Sequence, residues 1–326
     1  MRWYTVGELH WESITVHRRT FLQTSFAAVL AAPLTRLAIA DDPSVRQYRD
    51  TIGLQLYTLR GPMAEDMPGT LKAVADAGYK QVELMDAVTG GDIARTARDL
   101  GMDVTSAFLN WKTIVRPDDA DAPSEEETLD AATAMGLKHL VFGYVDHDSR
   151  KTADQYRTWA ERANRFGEMC READVRLCYH NHSFEFEPLP VGSVSPADAK
   201  TGPESGCGFE ILFEEFDADL VPFELDVFWA AIGGYDPVET LARLTGRLTQ
   251  VHLKDLQKGT PTIYDNSAVP HEAFQELGDG TVDIAACMAA AAKAGAVQCH
   301  VEQDQSPDPV MSITQSMRWL KGQPAG

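Results

Sequence analysis

Residues 52–85 read IGLQLYTLRGPMAEDMPGTLKAVADAGYKQVELM, and this stretch sets how the rest of the chain is read. Two short apolar runs, Ile52–Tyr57 and Gln81–Met85, flank a segment with helical spacing over Thr70–Ala77. The helix stops at Asp76-Ala77-Gly78, where glycine takes the left-handed conformation that turns a helix into a following strand. Strand, helix and strand in one short stretch predict a β-α-β unit, whose two strands run parallel.

The same rhythm recurs down the chain. Further candidate strands are Asp103–Phe108, His139–Phe142, Val175–His180, Pro222–Asp226, Leu248–His252 and Val297–Glu302. Leu100-Gly101, Met135-Gly136 and Ala294-Gly295 close helical patterns before three of them, and Thr128–Ala134 and Ala153–Glu172 read as amphipathic helices. Eight such units in one domain predict a closed (β/α)8 TIM barrel spanning 41–326. An open doubly wound sheet calls for a glycine-rich phosphate loop after its first strand, and Tyr57-Thr58-Leu59-Arg60 is not one. Two long segments, 188–208 and 255–280, follow the fifth and seventh strands. Loops in those places sit at the active-site face, so both are lid candidates.

The 326 residues exceed the roughly 250 of a typical barrel, leaving room for an N-terminal extension. In that extension His17-Arg18-Arg19-Thr20-Phe21-Leu22-Gln23 precedes a mildly apolar run over Thr24–Ala40, ending in the small-x-small triplet Ala38-Ile39-Ala40. This resembles a twin-arginine export signal over 1–40, and implies a periplasmic enzyme that keeps no membrane anchor after cleavage. The alternative is an amphipathic helix capping the barrel. The chain carries a formal net charge of -20. A body this acidic repels phosphate backbones, which excludes a nucleic-acid partner in the absence of a basic patch. Cys178 and Cys299 lie in apolar strand patterns and read as buried thiols.

Barrel enzymes carry their chemistry at the carboxyl ends of strands. Here four successive strands end Tyr179-His180-Asn181-His182, Glu224-Leu225-Asp226, Val251-His252-Leu253-Lys254-Asp255 and Val301-Glu302-Gln303-Asp304. Side chains alternate along a strand, so His180 and His182 share a face, as do Glu302 and Asp304. Imidazoles and carboxylates converging at one mouth suit a divalent ion such as Mn, Co, Zn or Fe.

Taken together these stretches resemble the sugar phosphate isomerase/epimerase family, which has the xylose-isomerase-like barrel. The resemblance runs from about residue 50 onward. Its marks are Tyr179–Phe186, Glu224–Trp229, Asp236–Val238, His252–Asp255, Glu276–Gly280 and Val301–Asp304, with Gly53–Thr58 as the opening strand. It implies a single divalent metal held by the ends of strands five to eight. The ligands here would be Asp226, His252, Glu302 and, on strand five, His180, where many members present a glutamate. A histidine expected near the end of strand three is replaced by Ser106-Ala107-Phe108-Leu109-Asn110.

The resemblance implies isomerisation or epimerisation of a sugar, by proton abstraction beside a carbonyl through an enediolate. Glu302 is the expected base, with Lys254 and His182 as further catalytic candidates. Trp229, Glu83, Tyr57 and Glu185 are candidates for sugar contacts. Trp229 also reads as core, Lys254 as an ion-paired lysine, and Glu83 as structural. His180 in place of the glutamate removes one of the two bases that an epimerase needs. This shifts weight toward a 3-keto-glycoside lyase or hydratase on the same site. A sugar-binding barrel without catalysis is the third reading. The expected partner is a small sugar or glycoside, and a homo-oligomer is left open.

Overall fold

The structure is a computed structural model that describes residues 43–190 and 206–322. The proposed export signal and most of the 188–208 segment lie outside these residues.

The strands are numbered here in chain order: β1 Gly53–Gln55, β2 Gln81–Leu84, β3 Asp103–Phe108, β4 His139–Phe142, β5 Arg176–His180, β6 Phe223–Asp226, β7 Leu248–Leu253, β8 Asp255–Leu256, β9 Phe274–Gln275 and β10 Gln298–Val301. Eight of them close a barrel in the order β1-β10-β7-β6-β5-β4-β3-β2, and β8 and β9 form a separate antiparallel pair. The (β/α)8 barrel predicted from the sequence is the fold found. β1 is shorter than expected. The Gln55 side chain accepts a hydrogen bond from the Tyr57 amide and turns the chain into a 3-10 helix over Leu56–Leu59.

Helices pack outside the strands. The one over Met67–Ala77 ends at Gly78 with φ 108°, a left-handed conformation that an L side chain rarely adopts, as the Ala-Gly pattern anticipates. A helix not anticipated from the sequence, Pro43–Asp50, precedes β1, and the Tyr48 hydroxyl donates to the Ala296 carbonyl. Among the described residues, no helix is long and apolar enough to cross a membrane.

Strand alternation divides the barrel into an apolar shell and a polar interior. On β7, Val251 and Leu253 join the apolar core, while Gln250 and His252 are buried polar side chains bonded across the barrel. Gln250 Nε2 donates to Ser106 Oγ of β3 at 3.0 Å and to Glu224 Oε1 of β6 at 3.0 Å. The same alternation brings the inward residues near the strand ends together at the C-terminal mouth.

Candidate active site

Four strand ends meet there. His180, Asp226, His252 and Glu302 are all buried, and each offers a nitrogen or oxygen within 4.8 Å of the others. Their strands β5, β6, β7 and β10 are neighbours, so barrel closure alone assembles the set. Asn181 fixes the turn beside it: its Oδ1 accepts from the Asp226 amide at 3.0 Å. Asp226 Oδ1 accepts from the Trp229 amide at 2.9 Å and so caps the short helix Val227–Ile232.

That cap leaves Asp226 Oδ2 without a hydrogen bond, although Lys254 Nζ stands 3.1 Å away. His180 Nδ1 is likewise buried without a hydrogen bond, with Glu224 Oε2 3.6 Å away. Buried polar atoms left unsatisfied are costly, and two of them within one mixed nitrogen and oxygen set fit a divalent cation. His180, Asp226, His252 and Glu302 are the residues that would hold it.

The charges around the set are strongly coupled. Lys254 is fully buried, with its Nζ 2.6 Å from Asp304, 2.8 Å from Glu302 and 3.1 Å from Asp226. Burial works against its charge, but Asp226, Asp304 and Glu302 outweigh it and raise the ammonium's pKa. His252 faces Glu302 with Nδ1 at 3.0 Å and Glu83 with Nε2 at 2.7 Å. Burial pushes the Glu302 carboxyl upward, yet Lys254 and His252 hold it well below the usual range, so it is ionised at neutral pH. Burial raises Asp304, with the Glu302 charge adding to it. His180 and His182 go the other way: burial and neighbouring positive charge lower both, His182 to about 3, so both stay neutral.

A second polar layer lies deeper. Glu83, Glu224, His252 and His300 also bring one donor atom each within 4.8 Å, on the Nε2 side of His252. Glu83, expected as a sugar contact or a structural group, lies outside the cavity lining. Its carboxylate is fully buried and is taken up by Gln55, Ser106 and His252. It holds the outer histidine from behind.

Above the four-residue set opens a cavity of about 600 Å³. Tyr57, His180, His182, Trp229, Glu302 and Asp304 all line it. Glu185 does not: the 3-10 helix Phe184–Phe186 turns it away, and it accepts from the Tyr179 hydroxyl and the His182 amide. Burial pushes its pKa up to about 7. It shapes the turn that carries His182, and it lies outside the cavity lining where a substrate contact was expected. Lys254, too, is engaged by three carboxylates behind the cavity.

The 255–280 segment forms one wall, through Asn266, Ser267, Val269, His271 and Phe274. The β8–β9 pair and the Asp255 carboxylate hold it in place. Asp255 accepts from the amides of Gly278 and Gly280 at 3.0 Å each and from that of Val282 at 2.9 Å. Asp255 in the His-x-Lys-Asp run is therefore the anchor of this loop.

A family profile described as the xylose isomerase-like TIM barrel matches residues 71–323. The chain belongs to that family. Among its relatives is an inosose dehydratase of Clostridium perfringens, 24% identical over 234 residues, covering 65% of this chain and 73% of that protein. Another, from Geobacillus kaustophilus, is 29% identical over 140 residues, 41% of this chain and 40% of that protein's length. A solved structure of a sugar phosphate isomerase/epimerase from Parabacteroides distasonis superposes with a TM-score of 0.63 at 24% identity. That match covers 84% of this chain and 94% of the other. At that identity the likeness speaks for the fold alone.

Several site residues were not singled out from the sequence. Asp304 lines the cavity and takes the shortest contact of Lys254; strand alternation had paired it with Glu302 without giving it a role. Asn181 points away from the two histidines that flank it and ties β5 to β6. Trp111 and Tyr144 line the cavity from the loops after β3 and β4, where no periodicity marks them.

Proposed function

We propose that this family member is a metal-dependent enzyme that removes a proton from the carbon beside a carbonyl of a polyhydroxylated substrate, and completes turnover by elimination. The observation that carries this is the placement of Glu302. It is an ionised carboxylate in the cavity floor, and strand five has no carboxylate to match it. β5 lies three places from β10 around the barrel, where a second base would have to stand for epimerisation. His180 and His182 occupy that place, so no carboxylate of strand five lines the cavity opposite Glu302.

A divalent ion on His180, Asp226, His252 and Glu302 would polarise the carbonyl and stabilise negative charge on its oxygen. The residues do the rest. Glu302 takes the proton from the carbon. The electron pair of that C–H bond forms a double bond to the next carbon, whose C–O bond breaks. Asp304, beside Glu302 in the same cavity, is placed to give the departing oxygen its proton. Lys254 stands between the two and keeps Glu302 ionised. Water leaves if the substituent is a hydroxyl, and an alcohol leaves if it is an ether.

The relatives named inosose dehydratase support the elimination outcome. A second reading, aldose–ketose isomerisation, is favoured by the same single base, because one carboxylate on one face can move a proton between adjacent carbons. The test is incubation with inososes and a panel of keto-sugars in D₂O with Mn²⁺ after chelator treatment. An unsaturated ketone absorbing in the ultraviolet indicates elimination. Deuterium in a rearranged sugar without that product indicates isomerisation. If metal-loaded protein gives neither product nor exchange with any member of the panel, the proposal fails.

A further inference from the structure

The cavity carries information about the ligand that the floor does not. Among the described residues lining it there is no lysine and no arginine, whereas Asp86, Glu302 and Asp304 bring carboxylates to it. Three arginines stand behind its lining. Arg150 donates to Asn266 at 3.3 Å and lies 3.4 Å over the Phe184 ring. Arg60 lies 4.2 Å over the Tyr57 ring and donates to the Asp304 carbonyl, while Arg116 lies 5.6 Å from the Trp111 ring and pairs with Asp146. Away from the floor, where Lys254 pairs with Glu302 and Asp304, a phosphate group would meet Asp86 and no lysine or arginine among the described lining residues.

The lining also carries a row of aromatic rings that begins at His180. His180 and His182 have ring centroids 5.2 Å apart, His182 and Tyr144 6.0 Å, and Tyr144 and Trp111 5.9 Å. The row links Trp111 to His180 through Tyr144 and His182. Tyr144, 38% exposed, presents its ring to the cavity.

We infer that the substrate is an uncharged two-part molecule: a polyhydroxylated ring over His180 and Glu302, bearing an aromatic or flat apolar substituent that rests against Tyr144 and Trp111. Its chemical class is that of aryl or similarly substituted glycosides, in place of free or phosphorylated monosaccharides. The inference rests on the cavity being the substrate site proposed above, but it concerns binding alone. Flat rings packed on aromatic faces gain about 0.5–1.5 kcal/mol each, up to roughly tenfold in affinity per contact.

The test is calorimetric titration of the full chain with 4-nitrophenyl β-D-glucopyranoside, its α anomer, D-glucose and glucose 6-phosphate. One of the nitrophenyl glycosides should bind at least about tenfold tighter than glucose, and glucose 6-phosphate more weakly than glucose. Tyr144→Ala and Trp111→Ala should each weaken the glycoside about three- to tenfold and leave glucose unchanged, and Tyr144→Phe and Trp111→Phe should restore it. The phenylalanine variants also control for any loss of fold at Trp111. Equal affinity for glycoside and glucose, tighter binding of glucose 6-phosphate, or alanine variants that weaken all four probes alike would each overturn the inference. If the glycoside binds as expected but no panel substrate exchanges a proton, the proposed reaction falls and this subsite stands. If exchange occurs on free keto-sugars and the glycoside shows no preference, the reverse holds.

Discussion

Replacing Lys254 with methionine isolates the charge that the site depends on. Methionine keeps most of the buried stem and removes the ammonium, leaving Asp226, Glu302 and Asp304 without the cation that stands 3.1, 2.8 and 2.6 Å from them. Removing one partner of a buried ion pair costs about 3–5 kcal/mol, because the other charge stays buried. Three acids share this one lysine, so the upper end of that range is expected. In a domain of this size each kcal/mol lowers the melting temperature by roughly 2–4 °C, which places the Lys254→Met loss at about 10–20 °C in the presence of chelator. A divalent ion at about 100 times its dissociation constant adds roughly 2.7 kcal/mol. The variant site is more negative, so Mn²⁺ should bind it more tightly and raise its melting temperature by more than that of the unsubstituted protein. Scanning calorimetry of both proteins, with EDTA and with Mn²⁺, reads all four values. A variant that melts within about 2 °C of the parent in EDTA, or an equal metal shift in both, would refute the role given to Lys254.

Asp226→Ala and His252→Ala should each lose the metal and fall at least about a hundredfold in turnover while keeping the helical circular dichroism of the parent, with metal content read by mass spectrometry. Burial, with neighbouring His300 adding to it, lowers His139 to about 4, so the folded protein keeps this imidazole neutral while the unfolded chain protonates it near 6.5. Stability should therefore be full above about pH 6.5 and fall by at most about 3 kcal/mol as the pH drops toward 4, and His139→Gln should flatten that part of the profile. Export through Arg18-Arg19 is proposed from the sequence, and replacing both with lysine should leave precursor in the cytoplasm on fractionation. Equal export of that variant would discard the signal.

The barrel was legible because its signals are local. Glycine-closed helices such as the one ending at Gly78 repeat before short apolar strands, and each repeat can be read without its neighbours. The convergence of His180, Asp226, His252 and Glu302 was legible for a related reason: strand alternation and closure bring inward-facing strand-end residues to one mouth. Depth along the barrel axis was not legible, because it depends on how neighbouring strands are staggered. Glu83 pairs in register with Gln55 and Ser106 and lies behind His252, a relation between strands that no single strand encodes. Glu185 was misplaced where the strand pattern stops. The 3-10 helix over Phe184–Phe186 breaks the alternation and turns the carboxylate toward Tyr179. Trp111 and Tyr144 come from loops, where neither period applies.

The account stands most directly on Glu302 as the group that takes the proton. The decisive measurement is deuterium incorporation from D₂O, followed by NMR, for the parent and for Glu302→Gln, both with Mn²⁺ bound and with the best substrate of the panel. Glutamine keeps the shape and an oxygen donor but does not accept a proton at neutral pH. The account predicts exchange in the parent and a loss of about 10²–10⁴-fold in the variant with metal still bound. Undiminished exchange in Glu302→Gln, or exchange that instead disappears in a His182 variant, would place the base elsewhere and leave Glu302 as a ligand only.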